Sequence, residues 1–175
     1  MNQALATLAE ELPARFGDKV ARVDSSCGEL TFEVAADAIV EVCTALRDDP
    51  RWAFEQLIDL CGVDYLHYGR SEWNTDTATF RGFSRGVNRH SGRALAVERA
   101  AAVPGRLEPQ ADERRFAVVY HLLSIATNRR LRLRAWCPPG EPPLIDSVID
   151  VWKAADWFER EAFDLYGILF KGHPD

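Results

Sequence analysis

Apolar positions along the chain recur with periods that change several times. Leu5, Leu8 and Leu12 lie at helical spacing within residues 3–16, with Glu10, Glu11 and Arg15 off the stripe. This predicts a short amphipathic helix ending near Gly17-Asp18. Residues 19–23 and 29–34 are short strand-like runs around Ser25-Ser26-Cys27-Gly28, the pattern of a hairpin. Residues 35–48 place Ile39, Val42, Cys43 and Leu46 on one helical face, and this helix stops before Pro50. Asp49-Pro50 reads as the start of a further helix, with Asp as N-cap and Pro at the first helical position. Its predicted stripe is Phe54, Leu57, Ile58 and Cys61, with Gly62 as left-handed stop and residues 63–68 as a strand.

Residues 69–115 are rich in arginine and acids and poor in apolar runs, which predicts a long surface loop or insertion with a strand at 94–99. Arg81-Gly82-Phe83-Ser84-Arg85-Gly86 is a single weak RGG-like match. Order returns at residues 116–124, where both alternating sets are largely apolar, as in a central strand buried on both faces. Asn128 suits a left-handed turn position. In residues 130–137, Leu131, Leu133, Ala135 and Cys137 face one way and Arg130, Arg132, Arg134 and Trp136 the other. The arginine ladder fits a solvated sheet face or a docking surface for an acidic partner. Residues 138–143 form a stiff, proline-rich connector that cannot continue the sheet. Asp146 or Ser147 then caps a helix running into the last quarter of the chain.

Composition narrows this picture. A chain of 175 residues, 47% hydrophobic and 27% charged, is of the globular class, with one domain over residues 1–175 and the insertion inside it. A net charge of −6 argues against a nucleic-acid partner held by bulk electrostatics. No apolar run is long enough to span a membrane, and the N-terminus lacks the basic region of a secretory signal. Cysteines 27, 43, 61 and 137 match no zinc or iron–sulfur spacing and read as small buried hydrophobes. No phosphate-binding, nucleophile-elbow or zinc-protease motif is present, and His121 reads as a core or interface histidine.

The last quarter concentrates aromatics and charge. Val148, Trp152, Ala155, Phe158, Ala162 and Leu165 make a core-facing stripe, widened by Trp157, Phe163 and Tyr166. Asp156, Arg160 and Asp164 lie four apart as candidate helix-surface ion pairs. Gly167 is placed as a left-handed stop after which Ile168 packs back onto Phe163. Leu169 and Phe170 continue as an apolar strand or turn, and Gly172-His173-Pro174 forces a bend. Glu159 and Glu161 point about 200° apart on a helix and do not share a site, whereas Glu161 and Asp164 share a face. With the distant His173 they make a thin case for catalysis or metal, which the neighbouring Arg160 weakens. Aromatic and arginine-rich surface is more typical of protein recognition.

Glu159-Arg160-Glu161-x-x-Asp164-Leu165-Tyr166-Gly167-Ile168, followed by Phe170-x-Gly172-His173-Pro174-Asp175, resembles the signature of the 30-kilodalton subunit family of respiratory complex I, the proton-pumping NADH-quinone oxidoreductase. Residues 57–65, 119–122, 128–132 and 147–157 also look like that family. The family pattern runs on past His-Pro-Asp with further arginines and a tail, which this chain lacks. The resemblance implies a non-catalytic subunit of the hydrophilic arm with no cofactor of its own. FMN and iron–sulfur clusters would sit in partner subunits, which pass electrons from NADH to quinone (ubiquinone or another). It implies packing against the D and B subunits, near the iron–sulfur subunits, on the cytoplasmic face of the inner membrane. The motif residues Glu159, Arg160, Glu161, Asp164, Tyr166, Gly167, Phe170, Gly172, His173 and Pro174 would form the subunit interface. The expected fold is α+β: N-terminal helices and a hairpin, a mixed or antiparallel sheet with helices on one face, and the motif on a C-terminal helix. The alternatives are the homologous subunit of a membrane-bound hydrogenase or formate-hydrogenlyase, a free-standing enzyme using Glu161, Asp164 and His173, or an unrelated adaptor.

Overall fold

The computed structural model of the chain describes residues 3–25, 28–66 and 114–175, and only the backbone of residues 3–5. The expected strand at 94–99, the RGG-like segment and all but the last two residues of the 69–115 insertion lie outside them. Apart from Leu66, the described residues belong to one compact unit built from residues 1–65 and 113–175.

Helix α1 (Gln3–Phe16) opens the chain and ends at Gly17, whose φ of 57° closes the helix into a short 3-10 turn. Strands β1 (Val20–Val23) and β2 (Thr31–Val34) form the expected antiparallel hairpin. Helix α2 (Ile39–Asp48) buries Ile39, Val42, Cys43 and Leu46, the four residues of its predicted stripe. Then come β3 (Gln56–Asp64), β4 (Phe116–Ser124) and β5 (Arg129–Trp136). The sheet order is β1-β2-β5-β4-β3, antiparallel except where β2 runs parallel to β5. Helix α3 (Ala155–Tyr166) follows a short strand, β6 (Leu144–Asp146), and β7 (Leu169–Lys171) pairs parallel with β6 as a separate ribbon.

One hydrophobic cluster joins Leu8 and Leu12 of α1, the α2 stripe, Phe32 and Val34, Tyr120 and Leu122, Leu131 and Leu133, and Ala155 and Ala162 of α3. The three helices of the described residues thus cover one face of the mixed sheet, the α+β arrangement expected from the pattern. Strand β4 lies between β5 and β3 with most of its residues buried, as its apolar run predicts. Asn128 is left-handed at φ 49°.

Two predicted helices are not formed as expected. The first was to start at Asp49-Pro50. Its start signal makes a single turn: the Asp49 carboxylate accepts from Arg51 N at 3.0 Å, and the Asp49 carbonyl from Trp52 N and Ala53 N. Ala53 then turns left-handed at φ 44°. Tertiary bonds hold this aborted turn, from Arg129 Nη2 to the Arg51 carbonyl and from Trp152 Nε1 to the Phe54 carbonyl. The stripe beyond it belongs to β3. A register shift between Leu57 and Asp59 lets Leu57 and Leu60, three apart, both point into the core, while Ile58 is exposed. Of the predicted stripe, Phe54 and Leu57 are buried, and Leu60 takes the inward place expected for Ile58 and Cys61. Gly62 is not a helix stop but a mid-strand residue. A Cβ there would lie 2.7 Å from the Tyr166 ring and 3.0 Å from Ile168, so the glycine admits the close approach of α3 to the sheet.

The second difference concerns the helix expected from residue 147. Residues 144–146 are strand β6, and Val148 begins one turn in which its carbonyl accepts from Val151 N and Trp152 N. Ser147 does cap that turn, its Oγ accepting from Ile149 N at 3.1 Å. The helix proper starts only at Ala155. Ala155 and Ala162 of the predicted stripe are buried and Phe158 partly so, but Leu165, also expected in the core, is 66% exposed in the last turn of α3. Cys43 and Cys137 are buried as expected, Cys61 is half-exposed, and Cys27 lies outside the described residues.

Candidate functional site

The arginine ladder of β5 is matched largely within the chain. Arg134 is bound to Glu33, which also accepts from Trp136 Nε1 at 3.0 Å, and Arg132 pairs with Glu29. Burial raises the Glu33 pKa, but the hydrogen bonds from Trp136 and Arg134 outweigh it, so the net shift is downward. Of the ladder, only Arg130 is exposed, without an ion pair among the described residues. His121 is half-buried on the same sheet face, opposite Arg132 and Asp59.

The C-terminal motif divides into side chains that fasten the segment to itself and side chains that face outward. Glu159 is 1% exposed. Its carboxylate accepts from Ser147 Oγ at 2.6 Å and Val148 N at 2.8 Å, linking α3 to the turn after β6. Burial pushes its pKa up against these hydrogen bonds and the nearby His173. Cys43 and Tyr120 lie in the same interior and burial, foremost, raises both; the Glu159 charge adds to each.

His173 closes the end of the segment. Its Nε2 lies 3.1 Å from the Asp156 carbonyl and 3.3 Å from the Asp156 carboxylate; its Nδ1 faces the Asp175 backbone. Arg160 does not bridge to Asp156 or Asp164 four residues away. It pairs with Asp175 at 3.1 Å and stacks over the Trp157 ring at 5.1 Å. Gly167 is left-handed at φ 71° and its N–H returns to the Phe163 carbonyl. Ile168 is buried with its side chain close to Gly62, and Phe163 is exposed. Phe170 lies in β7 and is partly buried against the core; Gly172 at φ 90° makes the predicted bend before Pro174.

Glu161 and Asp164 are exposed, with no partner among the described residues. Around them α3 and the ribbon leave Trp157, Phe163, Leu165, Tyr166, Leu169 and Leu144 exposed. Leu144 and Leu169 are register partners across the β6–β7 ribbon. Leu144 was not among the residues singled out from the sequence, because the strand carrying it follows a run of prolines. Among the described residues no three His, Cys, Asp or Glu side chains are grouped to hold a metal ion, and no helix is long and apolar enough to cross a membrane.

The fold is an α+β module whose C-terminal segment leaves a set of large apolar side chains exposed. Solved structures share the fold. The structure titled Nqo5, of a trypsin-resistant fragment, superposes with a TM-score of 0.64 at 26% identity, covering 99% of both chains. A chain of an archaeal membrane-bound sulfane sulfur reductase superposes with a TM-score of 0.58 at 15% identity, covering 96% of this chain and 71% of that one, a likeness of fold alone. The family profile described as "Respiratory-chain NADH dehydrogenase, 30 Kd subunit" matches residues 32–175. Curated relatives, each named as the C subunit of NADH-quinone oxidoreductase, are similar over nearly the whole chain. That of Coxiella burnetii (strain Dugway 5J108-111) is 47% identical over 97% of this chain and 68% of its own length. That of Legionella pneumophila (strain Paris) is 46% identical over 96% and 67%. The chain belongs to the respiratory-chain NADH dehydrogenase 30 Kd subunit family.

Proposed function

We propose that the chain is a structural subunit of the peripheral arm of NADH-quinone oxidoreductase, with no cofactor and no active site of its own. In this reading the complex carries electrons from NADH through FMN and iron–sulfur clusters in other subunits to a quinone, coupled to proton translocation. The D and B subunits are the neighbours, and the chain sits on the cytoplasmic face of the inner membrane. The names of the relatives support the complex. The observation that carries the structural role is the exposed apolar set on α3 and β7, held on a segment that Glu159, His173, Arg160 and Gly167 fasten from within. A stiff segment loses little conformational freedom when a partner covers it. The outward motif residues, among them Tyr166 and Pro174, then contact the partner.

The test is affinity purification of the tagged full chain from detergent-solubilised membranes. The D and B subunits, with NADH-quinone reductase activity, are expected in the eluate. Recovery of the chain alone or with unrelated proteins overturns the reading. Flavin or iron–sulfur absorbance in the chain purified by itself overturns the claim that it carries no cofactor.

A further inference from the structure

The outer face of α3 carries Trp157, Glu161, Asp164 and Leu165, offsets of 4, 7 and 8 residues that fall on one helical stripe. Two of these are large apolar groups left open, Trp157 at 72% and Leu165 at 66% exposure. The other two are carboxylates with a distinct status. Every other charged side chain of the helix is matched inside the chain: Asp156 by His173, Glu159 by Ser147 and Val148, Arg160 by Asp175. Glu161 and Asp164 have no such match among the described residues. Asp164 also sits in the last turn, where the helix dipole disfavours an anion, and that turn holds no basic residue. The local electrostatics therefore lack a cation that this part of the chain does not supply.

Resting on the structural role proposed above, we infer that this stripe seats a basic protein segment. An arginine or lysine of the partner pairs with Glu161 and Asp164, and aliphatic side chains beside it cover Trp157 and Leu165. Arg160, stacked over the indole and tied to Asp175, holds Trp157 in place for that contact. One outside cation would answer both carboxylates and the C-terminal end of the helix. The flanking apolar groups would exclude water from the pair and strengthen it.

The experiment compares tagged full chains in membranes: wild type, the isosteric double variant E161Q/D164N, and the reversal E161K/D164K. Retention of partner subunits is measured as salt is raised. Wild type is expected to shed partners with rising salt. The neutral variant is expected to retain about tenfold less at low salt and to lose most of its salt dependence, and the reversal less still. Thermal unfolding of the purified variant chains controls for folding, and both positions are exposed. Equal retention by all three chains at every salt overturns the inference while leaving the structural role standing. Wild-type retention that ignores salt overturns the basic chemistry. If wild type brings down no respiratory subunit, the structural role itself fails, and this inference with it.

Discussion

The Glu159 carboxylate and the Ser147 hydroxyl meet at 2.6 Å at the edge of the core, tying α3 to the turn after β6. Val148 N completes the clasp at 2.8 Å. Replacing Glu159 with Ala strands the buried Val148 N–H and the half-buried Ser147 hydroxyl, and opens a cavity. A loss of about 2–3 kcal/mol in urea unfolding of the purified chain is expected. Glu159→Gln keeps the shape and one acceptor and costs about 1 kcal/mol.

The same residue gives a pH signature. Burial raises its pKa in the folded chain above the ordinary value of 4.5. Between that value and the raised one, the folded state binds more protons than the unfolded state. This contribution therefore favours folding at low pH and fades as pH rises through the folded pKa. Glu33 and Asp49, held low by their arginine and tryptophan partners, act in the opposite sense and lose their stabilisation as pH falls. The clean measurement is the difference between wild type and E159Q. Wild type is expected to gain relative stability as pH drops from neutrality into that window; a difference that stays flat contradicts the assignment.

Gly62 sits where a Cβ would meet Tyr166 at 2.7 Å and Ile168 at 3.0 Å. The Tyr166 ring has solvent to move into; Ile168 is fully buried and does not. Gly62→Ala is expected to cost about 1–3 kcal/mol through overpacking and to weaken partner capture by displacing Tyr166. Denaturant titration and co-purification read the two effects separately.

Arg160 pairs with Asp175 and stacks on Trp157 at the surface. Exposed contacts of this kind are worth at most about 1 kcal/mol. Arg160→Ala is therefore expected to leave the melting temperature nearly unchanged while lowering recovery of partner subunits. Unimpaired recovery contradicts an interface role for this side chain.

The His173 ring is nearly buried and joins the α3 start to the end of the chain. His173→Ala is expected to speed amide hydrogen exchange in residues 169–175 and leave α1 and α2 unchanged. Uniform exchange rates in both proteins argue against the closure.

Local chemistry was enough to read much of this from residues alone. The α2 stripe, the β1–β2 hairpin, the alternation of β5 and the left-handed Gly167 each depend on neighbours a few positions apart. The motif from Glu159 to Asp175 was legible as a family signature, because its residue types and spacing are linear features. What tertiary structure decided depends on partners far away in the chain. The helical stripe read through Leu57, Ile58 and Cys61 is instead a strand, in which a register shift turns Leu57 and Leu60 inward, and only pairing with β4 reveals it. Gly62 serves a ring and an isoleucine more than a hundred positions on. Within the motif, two glutamates of identical chemistry part ways: Glu159 is drawn into the core by Ser147 and Val148, and Glu161 is left to water. Spacing says only that they diverge. Which of them points inward follows from where the sheet stands, and that is settled by burial of apolar area over the whole fold.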